Sequence, residues 1–485
     1  MNRKSLIAGL PIAGLMVACL PPLAQSAPAK GVVPKKLAPV STEVLRVKLP
    51  RPVERKLKNG LTVLVLENHR VPVVTMELVL PASTLSDPPQ MPGVAEAVAE
   101  MLKQGTATRT SRQIAEELSE MGASLNIDAA WGARGTRLSA SALTENLDSL
   151  LALTSDVLLN ASFPQDEFAK WKNRKLTSFQ QQRANPAFLG SERLARVLYA
   201  GDQRGNISGT AAAVGKMTRQ DLLDFRKRFY VPGSSIIGVT GDTTPDEIVA
   251  KLEKAFGDWQ PGTAASPTVA PKPPIAEKKA YLVNRAGSVQ TYLTLGNHAV
   301  DRLSPDYIAC MVLNRILGSG PSSRLFINIR EEKGFTYGVY SRFQADKYLD
   351  AFSASSSVRT EVTGAALDEF LKEFRKIRDE AVPAEELENA KRAIVANFAL
   401  SIEQQAGVLG QVMQIREFGL PADYWDTYAG KVMAISAADV QRAARKYVPF
   451  DNVQIVAVGD GAKIGEVLKK YAPLEQYNTD GQKID

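Results

Sequence analysis

Five features of this chain recur in the same order 217 to 218 residues apart. Met217-Thr218-Arg219-Gln220-Asp221 leads through a helical stretch to Tyr230-Val231-Pro232, an apolar run at 236–239 and Gly241-Asp242. Ile435-Ser436-Ala437-Ala438-Asp439 leads likewise to Tyr447-Val448-Pro449, an apolar run at 453–458 and Gly459-Asp460. Each copy opens with S/T-x-x-D, a variant of the capping box that satisfies the free N–H groups at a helix start. A repeat of this length requires the fold to be built twice, and 485 residues with 45% hydrophobic content suffice for two cores.

A Pro-rich break at 261–274 separates the copies. The first copy alternates in a strand-like way at 61–66 and 73–80 around a turn at Asn68-His69-Arg70, and again at 124–127 and 136–142. Helical periodicity covers 93–102 and 111–121. The expectation is an α+β fold of two tandem homologous domains, each a mostly antiparallel sheet packed with helices. The domains are placed at 45–260 and 275–475, with a tail at 476–485. No G-x-G-x-x-G or Walker loop is present.

The N-terminus carries Arg3 and Lys4, an apolar stretch broken by Pro11 and Pro21-Pro22, and then Ala24-Gln25-Ser26-Ala27. That is the pattern of a secretory signal over 1–26, followed by a Pro/Ala-rich tether at 27–44, and it implies a periplasmic protein with no membrane span after cleavage. Met16-Val17-Ala18-Cys19 also resembles a lipobox, an alternative that would put a lipid on Cys19. Cys310 is then the one remaining cysteine and lies in an apolar helical run, as a buried structural thiol would. The formal charge of +7 comes with no arginine-rich run, so nucleic acid is not an expected partner.

There are two histidines, His69 and His298, too far apart to build H-E-x-x-H or H-x-x-E-H. The run Gly93-Val94-Ala95-Glu96-Ala97-Val98-Ala99-Glu100-Met101-Leu102, continued by Gly105-Thr106, nevertheless resembles the pitrilysin/insulinase family of metallopeptidases. That family's helix has the form G-x-A-H-x-x-E-H-M-L followed by G-T, with two zinc-binding histidines and a glutamate that acts as base. In this chain Glu96 and Glu100 stand at the histidine positions and Ala99 at that of the base. The resemblance places the last ligand, a glutamate, some 75 residues further on, after an element matched by Phe163-Pro164. Leu176-Thr177-Ser178-Phe179 near that point has no carboxylate. No metal site is expected, and Glu96 and Glu100 read as a solvated helix face, with a carboxylate-bound hard cation as the alternative.

The second copy runs Gly318-Ser319-Gly320-Pro321 into Ile329-Arg330-Glu331-Glu332-Lys333-Gly334 and Tyr337-Gly338-Val339-Tyr340-Ser341. This resembles the family's C-terminal signature, in which an arginine and a tyrosine seven positions later reach the zinc of the other domain. Arg330 and Tyr337 have that spacing, and guanidinium and phenol are donors suited to a developing oxyanion. Gly318, Ser319 and Gly320 are candidates for a substrate-holding loop; a phosphate-binding role is the alternative, without the P-loop lysine.

The resemblance implies a non-zinc subunit of a heteromeric metallopeptidase that is not active alone. It would supply Arg330 and Tyr337 to a homologous partner carrying H-x-x-E-H and the zinc, with peptide as substrate. The alternative is a non-catalytic scaffold or peptide-binding protein of the same fold.

Overall fold

In the computed structural model, which describes residues 46–484, the alternation at 73–80 becomes alternating burial: Val74, Met76, Leu78 and Leu80 are 2% exposed or less. The first sheet comprises β1 (Val53–Lys56), β2 (Thr62–Glu67), β3 (Val73–Leu80), β4 (Ser124–Asp128), β5 (Thr136–Leu143) and β6 (Ile236–Gly241), in the order β1-β2-β6-β3-β5-β4. The second contains β7 (Lys279–Asn284), β8 (Gln290–His298), β9 (Val339–Ala345), β10 (Asp350–Arg359), β11 (Gln454–Gly459), β12 (Leu474–Tyr477) and β13 (Lys483–Ile484). Their order is β13-β12-β7-β11-β8-β10-β9. Pairing is antiparallel except for β2 with β6 and for β7 with β11 and β12. The repeat is visible in the helices Arg219–Phe229 and Ala437–Tyr447, each closed by a complete capping box, Thr218 with Asp221 and Ser436 with Asp439.

Each sheet lays one face on helices of its own half and the other on a helix from the opposite half. The helix Pro186–Leu198 covers the second sheet, with Leu189 against Val283 and Val458, and Leu194 and Leu198 against Val456. In return the helix Gln405–Phe418 covers the first sheet, setting Leu409, Val412 and Met413 against Leu64 and Leu66. Close approach needs glycine on both sides. A Cβ on Gly190 would meet the Tyr292 ring at 2.6 Å, and one on Gly238 would meet Leu409 and Met413 at 2.7 Å. Each fully buried aliphatic side chain contributes about 1.5–3 kcal/mol, so the exchange ties the described residues into one compact unit.

Charges reinforce this joint. Glu417, whose side chain is 4% exposed, lies 2.5 Å from Arg134 and 2.8 Å from Arg137, and Arg134 also pairs with Asp346 at 3.2 Å.

Residues 476–484 are not a tail. β12 and β13 extend the second sheet, and Arg183 and Arg193 donate to the carbonyls of Thr479 and Gly481. Their short, half-exposed strands lack the apolar alternation that marks a strand in sequence. His298 is buried, with Nε2 2.7 Å from the Leu198 carbonyl. His69 is exposed between Asp242 at 2.6 Å and Glu67 at 2.7 Å. The Cys310 thiol is buried, which pushes its pKa up. Among the described residues no helix is long and apolar enough to cross a membrane. The segments expected to be a signal peptide and a tether, with Cys19, lie outside the described residues.

Candidate functional site

The helix Val94–Met101 is fixed at its start by Asp87, whose carboxylate accepts from the N–H groups of Gly93 at 2.7 Å and Ala95 at 2.8 Å. Burial pushes the Asp87 pKa up to about 7 against the pull of those N–H groups. Val94, Ala95, Ala97, Val98, Ala99 and Met101 are all buried, so one face of the helix is spent on the core. Glu96 and Glu100, one turn apart, are left to face the helix Gln165–Ala184.

That second helix supplies a cation. Lys175 Nζ lies 2.9 Å from Glu96 Oε1 and 2.7 Å from Glu100 Oε1, while Trp171 Nε1 donates to Glu100 Oε2 at 2.6 Å. The pair is therefore bridged rather than free in solvent: the Glu96 side chain is 23% exposed, that of Glu100 41% and their partner Lys175 only 16%. Burial opposes the Lys175 charge, but the two carboxylates outweigh it and hold the ammonium pKa above its ordinary value. Glu96 moves up because burial exceeds the help from Lys175. These residues do not fit a zinc ion. A charged ammonium already bridges both carboxylates and offers no lone pair, and Ala99, 1% exposed, supplies no base. Carboxylate binding of a hard cation meets the same obstacle.

In the second half, Arg330 sits on a seven-residue π-helical turn, Phe326–Glu332. Its guanidinium carbon is 4.5 Å from the centre of the Phe326 ring and 5.2 Å from that of Tyr337, with Nη1 3.1 Å from Glu331. Tyr337 is 90% exposed. The structure thus brings Arg330 and Tyr337 side by side. Gly318, Ser319 and Gly320 are used differently: Gly318 accepts from the Ser341 N–H of β9 at 2.9 Å, and Ser319 accepts from Arg315 at 2.5 Å. The loop seals part of the β9 edge and lines neither of the two cavities beside that strand.

Those cavities adjoin. One of about 490 Å³ lies between the helix Pro186–Leu198 and the second sheet, and one of about 460 Å³ lies beside Tyr337; Tyr292, Tyr340 and Ser355 line both. Trp131, on the loop after β4, reaches the first. β4 is the free edge of the first sheet, where its Leu125 carbonyl already accepts from Lys103 at 2.7 Å.

Residues 62–209 match the family described as insulinase (peptidase family M16), and residues 216–394 match the peptidase M16 inactive domain. The chain belongs to the insulinase family. An uncharacterized zinc protease of Rickettsia felis is 29% identical over 353 residues, 72% of this chain and 84% of the relative. The non-peptidase homolog YmxG of Helicobacter pylori is 23% identical over 405 residues, 82% and 91% of the two chains. Among solved structures, the peptidase M16 inactive domain from Pseudomonas fluorescens superposes with a TM-score of 0.79 at 26% identity, covering 84% of this chain and 98% of that one.

Within this insulinase-family chain, Lys175 is the site residue that sequence reasoning missed. It stands 75 positions after Glu100, at the distance expected for the family's third ligand, directly before Leu176. A basic residue in place of that ligand, opposite two acidic replacements, was the available signal. Asp87 gave none, because its role depends on a loop bringing it back to the helix start.

Proposed function

We propose that this chain is the metal-free subunit of a heteromeric periplasmic peptidase, lending Arg330 and Tyr337 to a partner of the same family that carries an intact H-x-x-E-H. The observation that carries this reading is Tyr337: a 90% exposed aromatic beside a guanidinium, with no hydrogen bond to its hydroxyl among the described residues. Such a side chain does little for folding. Guanidinium and phenol donors would bind a peptide carbonyl and stabilise negative charge growing on its oxygen. Peptide backbone pairing at a sheet edge would supply loose affinity.

The test mixes the purified chain with the H-x-x-E-H family member of the same organism. Peptidase activity should exceed that of either protein alone. Arg330→Ala or Tyr337→Phe should reduce it by roughly 10²–10³-fold, the usual effect of losing an oxyanion donor. A mixture without gain, or one indifferent to both variants, rejects the assignment. A non-catalytic peptide-binding scaffold is the second reading. It is favoured by the closure of the metal positions with Lys175, and it predicts peptide binding without turnover in any mixture.

A further inference from the structure

The cavity between the helix Pro186–Leu198 and the second sheet exists because its floor is made of small residues. In the β8–β10–β9 register, Gly296 stands opposite Ser353 and Ser353 opposite Arg342; one step along, Thr294 stands opposite Ser355 and Ser355 opposite Tyr340. Side chains at these alternate positions share a face, so Arg342 and Tyr340 rise at the edge strand over a floor of hydroxyl groups from Thr294, Ser353 and Ser355.

The charge of this wall is one-sided. Among the described residues, no aspartate or glutamate lines this cavity or its neighbour at Tyr337. Two arginines line the first. Arg204 is consumed internally, held by Asp202 at 2.7 Å and by the Ala270 carbonyl at 2.7 Å. Arg342 is exposed on the strand and makes no hydrogen bond or ion pair among the described residues. A free guanidinium in a carboxylate-free recess next to hydroxyl groups is complementary to an anion, and guanidinium favours carboxylates through its paired donors.

We infer that this cavity binds an acidic side chain of an extended peptide, with Arg342 as the anchor that sets the preference. The inference rests on the reading above that the chain holds peptide, and it names the class of peptide. Because Arg342 has no internal partner, replacing it removes the anchor without leaving an unpaired group in the fold.

The test uses short peptides, acetylated and amidated at their ends, identical except for a central Glu-Glu, Gln-Gln or Lys-Lys pair, titrated against the full chain. The Glu-Glu peptide should bind roughly tenfold more tightly than the Gln-Gln peptide, the worth of one charge-assisted contact at a partly exposed site. Arg342→Gln should erase that difference with an unchanged melting curve, and Arg342→Lys should keep part of it. Raising the ionic strength should narrow the gap. Equal affinity for the Glu-Glu and Gln-Gln peptides, or a preference that survives Arg342→Gln, overturns the inference while leaving peptide holding intact. No binding of any of the three overturns the peptide-holding reading itself.

Discussion

Lys175→Met isolates the charge that closes the degenerate metal site while keeping most of the side-chain volume. Removing one partner of a buried ion pair costs about 3–5 kcal/mol when the remaining charge is fully buried. Here Lys175, Glu96 and Glu100 are 16%, 23% and 41% exposed, so water screens part of the loss. Two charge-assisted hydrogen bonds disappear and two carboxylates one turn apart are left to repel, which together amounts to about 2 kcal/mol after that discount. With an unfolding entropy of about 2.1 cal/mol/K per residue, that loss lowers Tm by only about 2 °C in a cooperative unit of this size, so denaturant titration is the better assay. The pH dependence gives the sharper check. The raised Lys175 pKa means that its contribution is complete below 10.5 and fades only as pH climbs through the shifted value, so it is fully present at neutrality. The raised Glu96 pKa means that its ionised form is disfavoured in the fold, more so without Lys175, and this penalty vanishes below the ordinary value of 4.5. The stability gap between the native chain and Lys175→Met should therefore narrow on acidification through pH 4.5. Adding Glu96→Gln to Lys175→Met should recover about 1 kcal/mol at neutral pH. A gap independent of pH, with no recovery in the double variant, would refute the charge argument.

Restoring the family's pattern with Glu96→His, Ala99→Glu, Glu100→His and Lys175→Glu together should give one tightly held zinc per chain by metal analysis after dialysis, against none for the native sequence. Glu417→Gln, which weakens the ion pairs with Arg134 and Arg137 across the joint, should cost about 2–3 kcal/mol by denaturant titration; a neutral result would mean the hydrophobic exchange alone holds the halves. His69, flanked by Asp242 and then Glu67, should titrate by NMR above 6.5, and its contribution to stability should be present below 6.5 and lost as pH rises through that higher value. Tyr337→Phe should leave stability within about 0.5 kcal/mol, as befits a 90% exposed side chain.

Much of the fold was legible because its signals are local. The capping boxes at Thr218 and Ser436 and the alternation at 73–80 each depend on neighbours in sequence. The exchange of the helices Pro186–Leu198 and Gln405–Phe418 between sheets was not legible, since an apolar helix face does not declare which sheet it will cover. Within the site, the loss of metal ligands at Glu96, Ala99 and Glu100 could be read position by position. What replaced them could not, because an isolated pair of glutamates on a helix looks solvated until Lys175 is seen between them.

The exchange also links the Lys175 triad of the first half to the cavity of the second. The helix that carries Lys175 leads through Asn185, which caps its successor, straight into the helix Pro186–Leu198, and that successor forms the roof of the second sheet's cavity. Collapse of the first-half site would therefore disturb the roof over Arg342 and Tyr340. Without a counter-charge, Glu96 and Glu100, one turn apart on the helix Val94–Met101, would repel each other and have nothing to hold them to the helix Gln165–Ala184. Lys175 offsets that repulsion by bridging the two carboxylates and ties the two helices together, fixing the roof from below. On this argument Lys175→Met should weaken not only stability but also the preference for the Glu-Glu peptide, although Lys175 lines neither cavity. Hydrogen exchange should then show faster opening in 186–198 than in the helix Gln405–Phe418, which covers the first sheet and has no link to Lys175. Equal exchange in the two helices would show that the ion triad and the cavity roof are independent.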